Sequence, residues 1–301
     1  MGLIQKIKYL IARVIRVITF PYQLGRNAWP FWFFILNRKA RKLFLQSPPR
    51  LDEIQKRLAE DLKLKGIATV HISELFNQDG TFEKLQQFTQ HKLDGDLSIR
   101  GKRFLRSLIG DVPTLDFENP FILFVLHKKI LGVVNSYMGL FAKFVSFSLD
   151  LTMPVGADAK PERSQLWHRD PEDKKMCKVF LYLSDVDETA GPFTYITESQ
   201  YGGRWRRKFP PRFPRGYYPP AGAVEKTIPS QYFKVCTARA GTIIFCDTSG
   251  LHRGGYATQK TRTMFTAAFS SSASLRPIQF SFPQNLHLPE LDDAAAYALS
   301  R

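Results

Sequence analysis

Residues 2–18 read GLIQKIKYLIARVIRVI, with apolar side chains at Leu3, Ile4, Ile7, Leu10, Ile11, Val14, Ile15 and Ile18. That spacing predicts an amphipathic helix, with Lys6, Arg13 and Arg16 falling largely between the apolar positions. The charges inside the stretch argue against a membrane-spanning helix. They neither precede an uninterrupted apolar run nor lead to a small-residue cleavage site, as a secretion signal would require. A second apolar run, AWPFWFFIL at 28–36, is too short to cross a bilayer, and its Trp29 and Trp32 suit an interface. Arg38, Lys39, Arg41 and Lys42 follow it. A basic amphipathic helix followed by an aromatic wedge predicts contact of residues 1–44 with an anionic membrane surface; the alternative is packing on the domain that follows or on a partner.

Beyond Pro48–Pro49 the periodicity predicts helices at 52–64 and 81–93, a strand at 66–72, and a helix at 121–137 entered through Asn119–Pro120. From Phe144 the pattern changes to a strand-like alternation, FVSFSLDLTM. Strand-sized runs follow at 178–183, 192–197, 232–237, 242–246 and 262–269, separated by Gly, Pro, Asp and Ser. Helices first and many short strands afterwards predict a mainly β sandwich or jelly roll with flanking helices. The expected organisation is an N-terminal segment 1–48, a domain 49–280 carrying an insert at 201–231, and a tail 281–301.

The 301 residues, 44% hydrophobic and with 25 Phe, can build a sizeable core. The net charge of +16 is localised: residues 1–50 carry ten Lys or Arg and no acid, and RWRRKFPPRFPR at 204–215 carries six and no acid. Those sixteen of the 43 basic residues leave 27 against 27 acidic ones elsewhere. A chain basic throughout would suggest nucleic acid; this one suggests two local anion-facing surfaces. Cys177, Cys236 and Cys246 form no CxxC and cannot all pair, which suits buried thiols in a reducing, cytoplasmic setting; the basic N-terminal segment adds the expectation of a peripheral place at the inner face of a membrane.

Six histidines are present. His168 lies in Gln165-Leu166-Trp167-His168-Arg169-Asp170, and in an extended chain residues i and i+2 share a face, so His168 and Asp170 can aim at one point. His252 follows the strand AGTIIFCD and a Thr248-Ser249-Gly250 turn. Two imidazoles and one carboxylate on one face of a metal leave open positions, the arrangement of non-haem Fe(II) oxygenases. Arg262, ten residues on, opens a predicted strand and could pair bidentately with the far carboxylate of a dicarboxylate co-substrate.

The segments from Trp167 through KVFLYLSDVDETAGPFTYI to Thr197, and GTIIFCDTSGLHRGGYATQKTRTMF at 241–265, resemble the phytanoyl-CoA dioxygenase-like family of Fe(II)/2-oxoglutarate oxygenases. The resemblance spans roughly residues 65–275. It implies a double-stranded β-helix (jelly-roll, cupin-like) core, with Fe(II) on His168, Asp170 and His252 and 2-oxoglutarate anchored by Arg262. It implies O₂-dependent decarboxylation of 2-oxoglutarate to succinate and CO₂ coupled to hydroxylation of an unactivated C–H bond. Gly254 stands where many relatives place a hydroxyl, and Glu198-Ser199-Gln200 where they often read Gly-Ser-His. Asp170 disfavours halogenation, which needs a small residue there.

Trp167 either lines the substrate pocket or packs the core. Gln165 reaches a substrate only if its strand bulges, Arg253 should point away from the metal, and Gly191-Pro192 reads as a turn. Asp185, Asp187 and Glu188 read as an exposed acidic turn, and His71, His91, His127 and His287 as structural or surface residues. The insert places Arg206, Arg207 and Lys208 among Trp205, Phe209, Phe213, Tyr217 and Tyr218. It reads either as a lid for an anionic or lipid-linked small-molecule substrate, or as a solvated loop. Two other functions compete with the oxygenase: a catalytically silent jelly-roll binding module, and a nucleic-acid-acting oxygenase suggested by the basic aromatic insert. The neutral remainder of the chain speaks against the last.

Overall fold

The computed structural model describes residue 25 and residues 28–300, apart from 78, 96–97, 100–103, 157–158, 211–217, 275 and 284–289. The helix expected over 2–18 lies outside the described residues. The alternating runs become strands β1 (Ile67–His71), β2 (Ser98–Ile99), β3 (Leu105–Ser107), β4 (Lys143–Thr152), β5 (Met176–Tyr182), β6 (Thr194–Ile196), β7 (Phe233–Val235), β8 (Thr242–Cys246), β9 (His252–Arg253) and β10 (Arg262–Ser270). One sheet has the order β1-β8-β5-β10-β4-β3-β2 and the other β7-β6-β9. The pairings are antiparallel, as expected of a jelly roll.

The two faces of the large sheet have different jobs. Phe147, Leu149, Val179, Leu181, Phe245, Phe265 and Ala267 join the helices in the main core. On the other face Phe180, Tyr182, Ile244 and Cys246 meet Phe193 and Tyr195 from the small sheet. In β4 the polar members of the alternation, Ser148, Asp150 and Thr152, are buried on this second face rather than turned to water.

Local chemistry sets the helix ends. Asp52 caps Glu53–Lys65 by a capping box with Gln55, and Gly66 closes it in the left-handed conformation (φ 77°). The single helix expected at 121–137 is instead two, Pro120–Leu126 and Lys128–Met138. His127 is extended between them and its Nδ1 accepts from Lys129 N. Among the described residues no single helix is long and apolar enough to cross a membrane.

The hydrophobic core runs across both expected domain boundaries. The π-helix Phe31–Leu36 and the helix Arg38–Gln46 contribute Trp32 and Ala40, and the C-terminal helix Asp293–Leu299 contributes Ala295, Tyr297, Ala298 and Leu299. The tryptophans expected at an interface face the protein. Trp32 is fully buried and donates to Asp173 Oδ1 at 2.7 Å. Trp29 stacks on Tyr201, with ring centroids 5.2 Å apart. The residues left outward are Phe31, Phe34, Ile35 and Leu45.

Trp32→Ala should therefore cost about 3–5 kcal/mol, because it opens a cavity and removes one of the donors to the buried Asp173. Urea unfolding checks this, and a loss near zero would mean that the N-terminal helices lie outside the cooperative unit.

Candidate metal centre

The turn after β8 is set by side chains around Asp247. This buried carboxylate accepts from Ser249 N at 2.9 Å and from Tyr137 Oη, while its backbone oxygen accepts from Tyr195 Oη at 3.0 Å. A Cβ on Gly250 would collide with Tyr195 Oη, so this close approach requires glycine. Ser199 Oγ accepts from Leu251 N at 2.7 Å and fixes the entry to β9.

His252 then pairs with His168 across an antiparallel bridge. His168 N donates to His252 O at 2.9 Å, and His252 N to His168 O at 3.0 Å. Directly opposed residues project to one side, so the two imidazoles sit together with ring centroids 4.2 Å apart. Asp170, two residues on, projects to the same side, and Asp170 N donates to Thr248 O at 2.9 Å. His168 Nε2 lies 4.0 Å from Asp170 Oδ1, and His252 Nε2 3.9 Å from Asp170 Oδ2. The three donor atoms lie within 4.8 Å of one another, and among the described residues this is the one His/Cys/Asp/Glu group so arranged.

The hydrogen bonds behind the rings decide whether these donors suit a metal. His168 Nδ1 is 2.8 Å from Leu166 O, and His252 Nδ1 is 3.0 Å from Gly250 O. A carbonyl only accepts, so both Nδ1 atoms carry the proton and both Nε2 lone pairs face Asp170. Burial, and then His168, push the His252 pKa down to about 3, which keeps the ring neutral. Burial works against ionisation of Asp170, but the Lys178 ammonium beside it outweighs burial and holds the carboxyl well below its ordinary range. Two neutral imidazoles and an ionised carboxylate fit a divalent transition metal.

Lys178 is a site residue that the sequence reading missed. Its Nζ lies 2.6 Å from Asp170 Oδ2. It lies on the inward face of β5, in register with Ala268 and Cys246, and shares that face with Met176, Phe180 and Tyr182. A lone charge on one face of an otherwise apolar strand was the available signal.

Arg262 lies on the same sheet face, opposite Thr152, and is buried. Its guanidinium donates to Gly191 O and, at 3.3 Å, to Thr152 Oγ1, while Nε has no hydrogen-bond partner. Burial draws its pKa down, with Tyr182 and Asp150 opposing. Gly191 is left-handed (φ 71°), and a Cβ there would strike the backbone of residues 255–257. The turn read at Gly191-Pro192 thus also seats the segment joining His252 to Arg262.

Arg169, between the two ligands, projects to the opposite side and is buried. It donates to the carbonyl oxygens of Ser199 (2.5 Å), Ser249 (2.8 Å), Trp205 (3.0 Å), Lys208 (3.0 Å) and Phe209 (3.2 Å). Burial lowers its pKa to about 10, so it remains a cation. The first part of the insert is thereby held against the ligand strand. Its far end returns to the centre, with the half-exposed Tyr218 ring 5.9 Å from His168.

The remaining expected residues take other places. Arg206, Arg207 and Lys208 are exposed on the gripped part of the insert. Trp167 packs with Val224, Ile228 and Leu251 and donates to Glu225 Oε1 at 2.7 Å, a core position. Arg253 lies 4.5 Å over the Trp167 ring and 3.5 Å from Glu225, away from the metal side. Gln165 accepts from Glu162 N at 3.0 Å within its own turn. Asp185 accepts from Ala240 N at 2.8 Å, and Asp187 pairs with Lys260 at 2.5 Å. His71 and His127 cap helices, His91 is an exposed helix residue, and His287 lies outside the described residues. All three cysteines are buried and free.

No protein-family model and no curated protein matches the chain. The phytanoyl-CoA dioxygenase-like resemblance therefore rests on the quoted motifs alone. Among solved structures the fold is similar to that of the epimerase SnoN in complex with Fe3+, alpha ketoglutarate and nogalamycin RO. The TM-score is 0.52 at 14% identity, covering 74% of this chain and 86% of that one. HygX from Streptomyces hygroscopicus with nickel, 2-oxoglutarate and hygromycin B bound gives a TM-score of 0.47 at 13% identity, covering 73% of this chain and 88% of that one. AviO1 from Streptomyces viridochromogenes Tue57 gives 0.48 at 11% identity, covering 75% and 98%. The expected architecture, mainly β with flanking helices around a jelly-roll core, is the observed one.

Two outcomes are expected. In chelator, unfolded His takes up a proton below its ordinary 6.5, whereas folded His252 refuses one until about 3. The folded state binds fewer protons in that window, so stability falls as pH drops. Between pH 7 and 5 this should amount to roughly 2 kcal/mol, absent in His252→Gln, by urea unfolding at both pH values. Arg169→Leu should release the carbonyls it grips, so that limited proteolysis cuts within 201–231 sooner than in wild type; an unchanged cleavage rate would discount the grip.

Proposed function

We propose that the chain is an Fe(II)- and 2-oxoglutarate-dependent oxygenase that hydroxylates a small, anionic or lipid-linked molecule. The observation that carries this is the convergence of two proton-fixed imidazoles and Asp170 on one point, inside a barrel whose same face bears the buried Arg262. The similarity of fold to SnoN, solved with Fe3+ and alpha ketoglutarate, supports it. His168, Asp170 and His252 would hold the metal, and Arg262 the distal carboxylate of 2-oxoglutarate. Fe(II), when bound with 2-oxoglutarate and O₂, would supply the oxidising power to break a C–H bond.

The chain's own residues do the rest. The carbonyls of Leu166 and Gly250 hold the Nδ1 protons and so keep both Nε2 atoms available as ligands. Lys178 is the cation that a metal must displace from Asp170 Oδ2; once displaced, its ammonium can receive a carboxylate or phosphate of a bound molecule. Phe180, Phe193 and Tyr182 keep the interior apolar beside these charges and limit water. The Tyr218 ring of the insert lies 5.9 Å from His168, and the exposed cations Arg206, Arg207 and Lys208 belong to the same insert, which favours an anionic substrate.

Anaerobic addition of Fe(II) and 2-oxoglutarate should give the weak visible charge-transfer band of the chelate. The band should weaken in Arg262→Ala and vanish in His168→Ala and Asp170→Ala. Folded wild-type protein that takes up no Fe(II) would leave a silent jelly-roll binding module as the function.

A further inference from the structure

Away from the metal centre, a cavity of about 410 Å³ opens where the N-terminal helices meet the start of β4, the end of β10 and the C-terminal helix. Among the described residues its lining holds three cations, Lys39, Lys143 and Arg276, and no carboxylate. Ser271, Ser272 and Ser274 add hydroxyls, while Leu36, Val145 and Ile278 supply apolar wall. Lys143 and Lys39 lie close enough that Lys39, after burial, draws the Lys143 pKa down. Lys143 Nζ donates to Tyr297 O at 3.2 Å and Ser300 O at 2.7 Å, which are neutral partners. Arg276 sits 3.7 Å from Glu172 Oε1 and donates to Gln279 Oε1 at 2.7 Å, but its buried Nε has no hydrogen-bond partner. Among the described residues, three cations against one carboxylate outside the lining leave the cavity short of negative charge.

The cavity adjoins an exposed apolar face. Phe34, Ile35 and Leu45 are 45%, 60% and 61% exposed, and Phe31 is 39% exposed. Arg38, Lys39 and Lys42 are exposed on the same helical segment, the Arg41 guanidinium lies 4.5 Å from the Phe34 ring centroid, and residues 1–50 contain no acid. Apolar side chains level with a belt of cations match the boundary between acyl chains and anionic head groups. A soluble anion would use the cations and leave this apolar face unexplained.

We propose that the cavity binds the phosphate of an anionic phospholipid while Phe31, Phe34, Ile35 and Leu45 enter the acyl layer. Trp32 turns inward to close the core, so the helical segment is a fixed part of the domain, presenting its outer face to lipid. Deleting residues 1–44 would open the core, so point variants of the full chain are the right probes.

The full chain should sediment with phosphatidylcholine vesicles doped with phosphatidic acid and not with phosphatidylcholine alone. Lys39→Glu, and separately Phe34→Ser with Ile35→Ser, should weaken this about tenfold. Because the basic residues of 1–24 could also attract vesicles, calorimetry with dihexanoyl phosphatidic acid below its micelle concentration isolates the cavity. Wild type should bind, and Lys39→Glu and Arg276→Gln should bind at least about tenfold more weakly, with unchanged near-ultraviolet circular dichroism. Equal binding by wild type and both variants would overturn the proposal. So would inorganic phosphate competing as well as the lipid does, which would make the cavity a free-anion site.

Discussion

Two backbone hydrogen bonds between His168 and His252 carry the geometry of the centre. They join segments 84 residues apart and place two rings on one side of the chain with no help from the ring atoms. Once they form, the parity of an extended strand sends Asp170 to the metal side and Arg169 to the other. One tripeptide, His168-Arg169-Asp170, thus serves both a site and a scaffold. Burying a guanidinium is costly, and five carbonyl oxygens offset that cost. The same contacts tie the insert, the end of β6 and the turn before His252 to the ligand strand.

The ligand loop is braced from behind as well. Asp173, three residues beyond Asp170, accepts from Trp32 Nε1 and from Ser271 N at the end of β10. Burial raises its pKa, and those two donors oppose the rise. The N-terminal helices, the longest strand pairing and the metal loop are therefore joined through a single carboxylate.

Much of this was legible in the chain. The run at 242–246 became β8 without change, because its apolar residues lie between clear turn formers. That His168 and Asp170 share a side could be read because spacing in a strand fixes direction, and the structure brings His252 to the same point. Other features depend on contacts between distant segments. The alternation of β4 suggests one dry and one wet face, yet Ser148, Asp150 and Thr152 line the barrel, since closure of a second sheet turned their side inward. Lys178 belongs to that same inverted pattern. The aromatic run at 28–36 gave no hint of which rings would dock, because Asp173, Tyr201 and the core that receive them are far away in sequence. The break at His127 follows no proline or glycine; its own imidazole caps the next helix.

The grip of Arg169 has a consequence for how such a chain can diverge. It holds the insert by main-chain oxygens at 205, 208 and 209, which every amino acid possesses. Side chains at 206–208 can change without loosening the loop, whereas a change at 169 releases all of it. The position of the insert is thus inherited through a residue outside it, while its chemistry is left open to drift. A scaffold of this kind can change the chemistry of the loop's exposed side chains without disturbing the strand that carries His168 and Asp170.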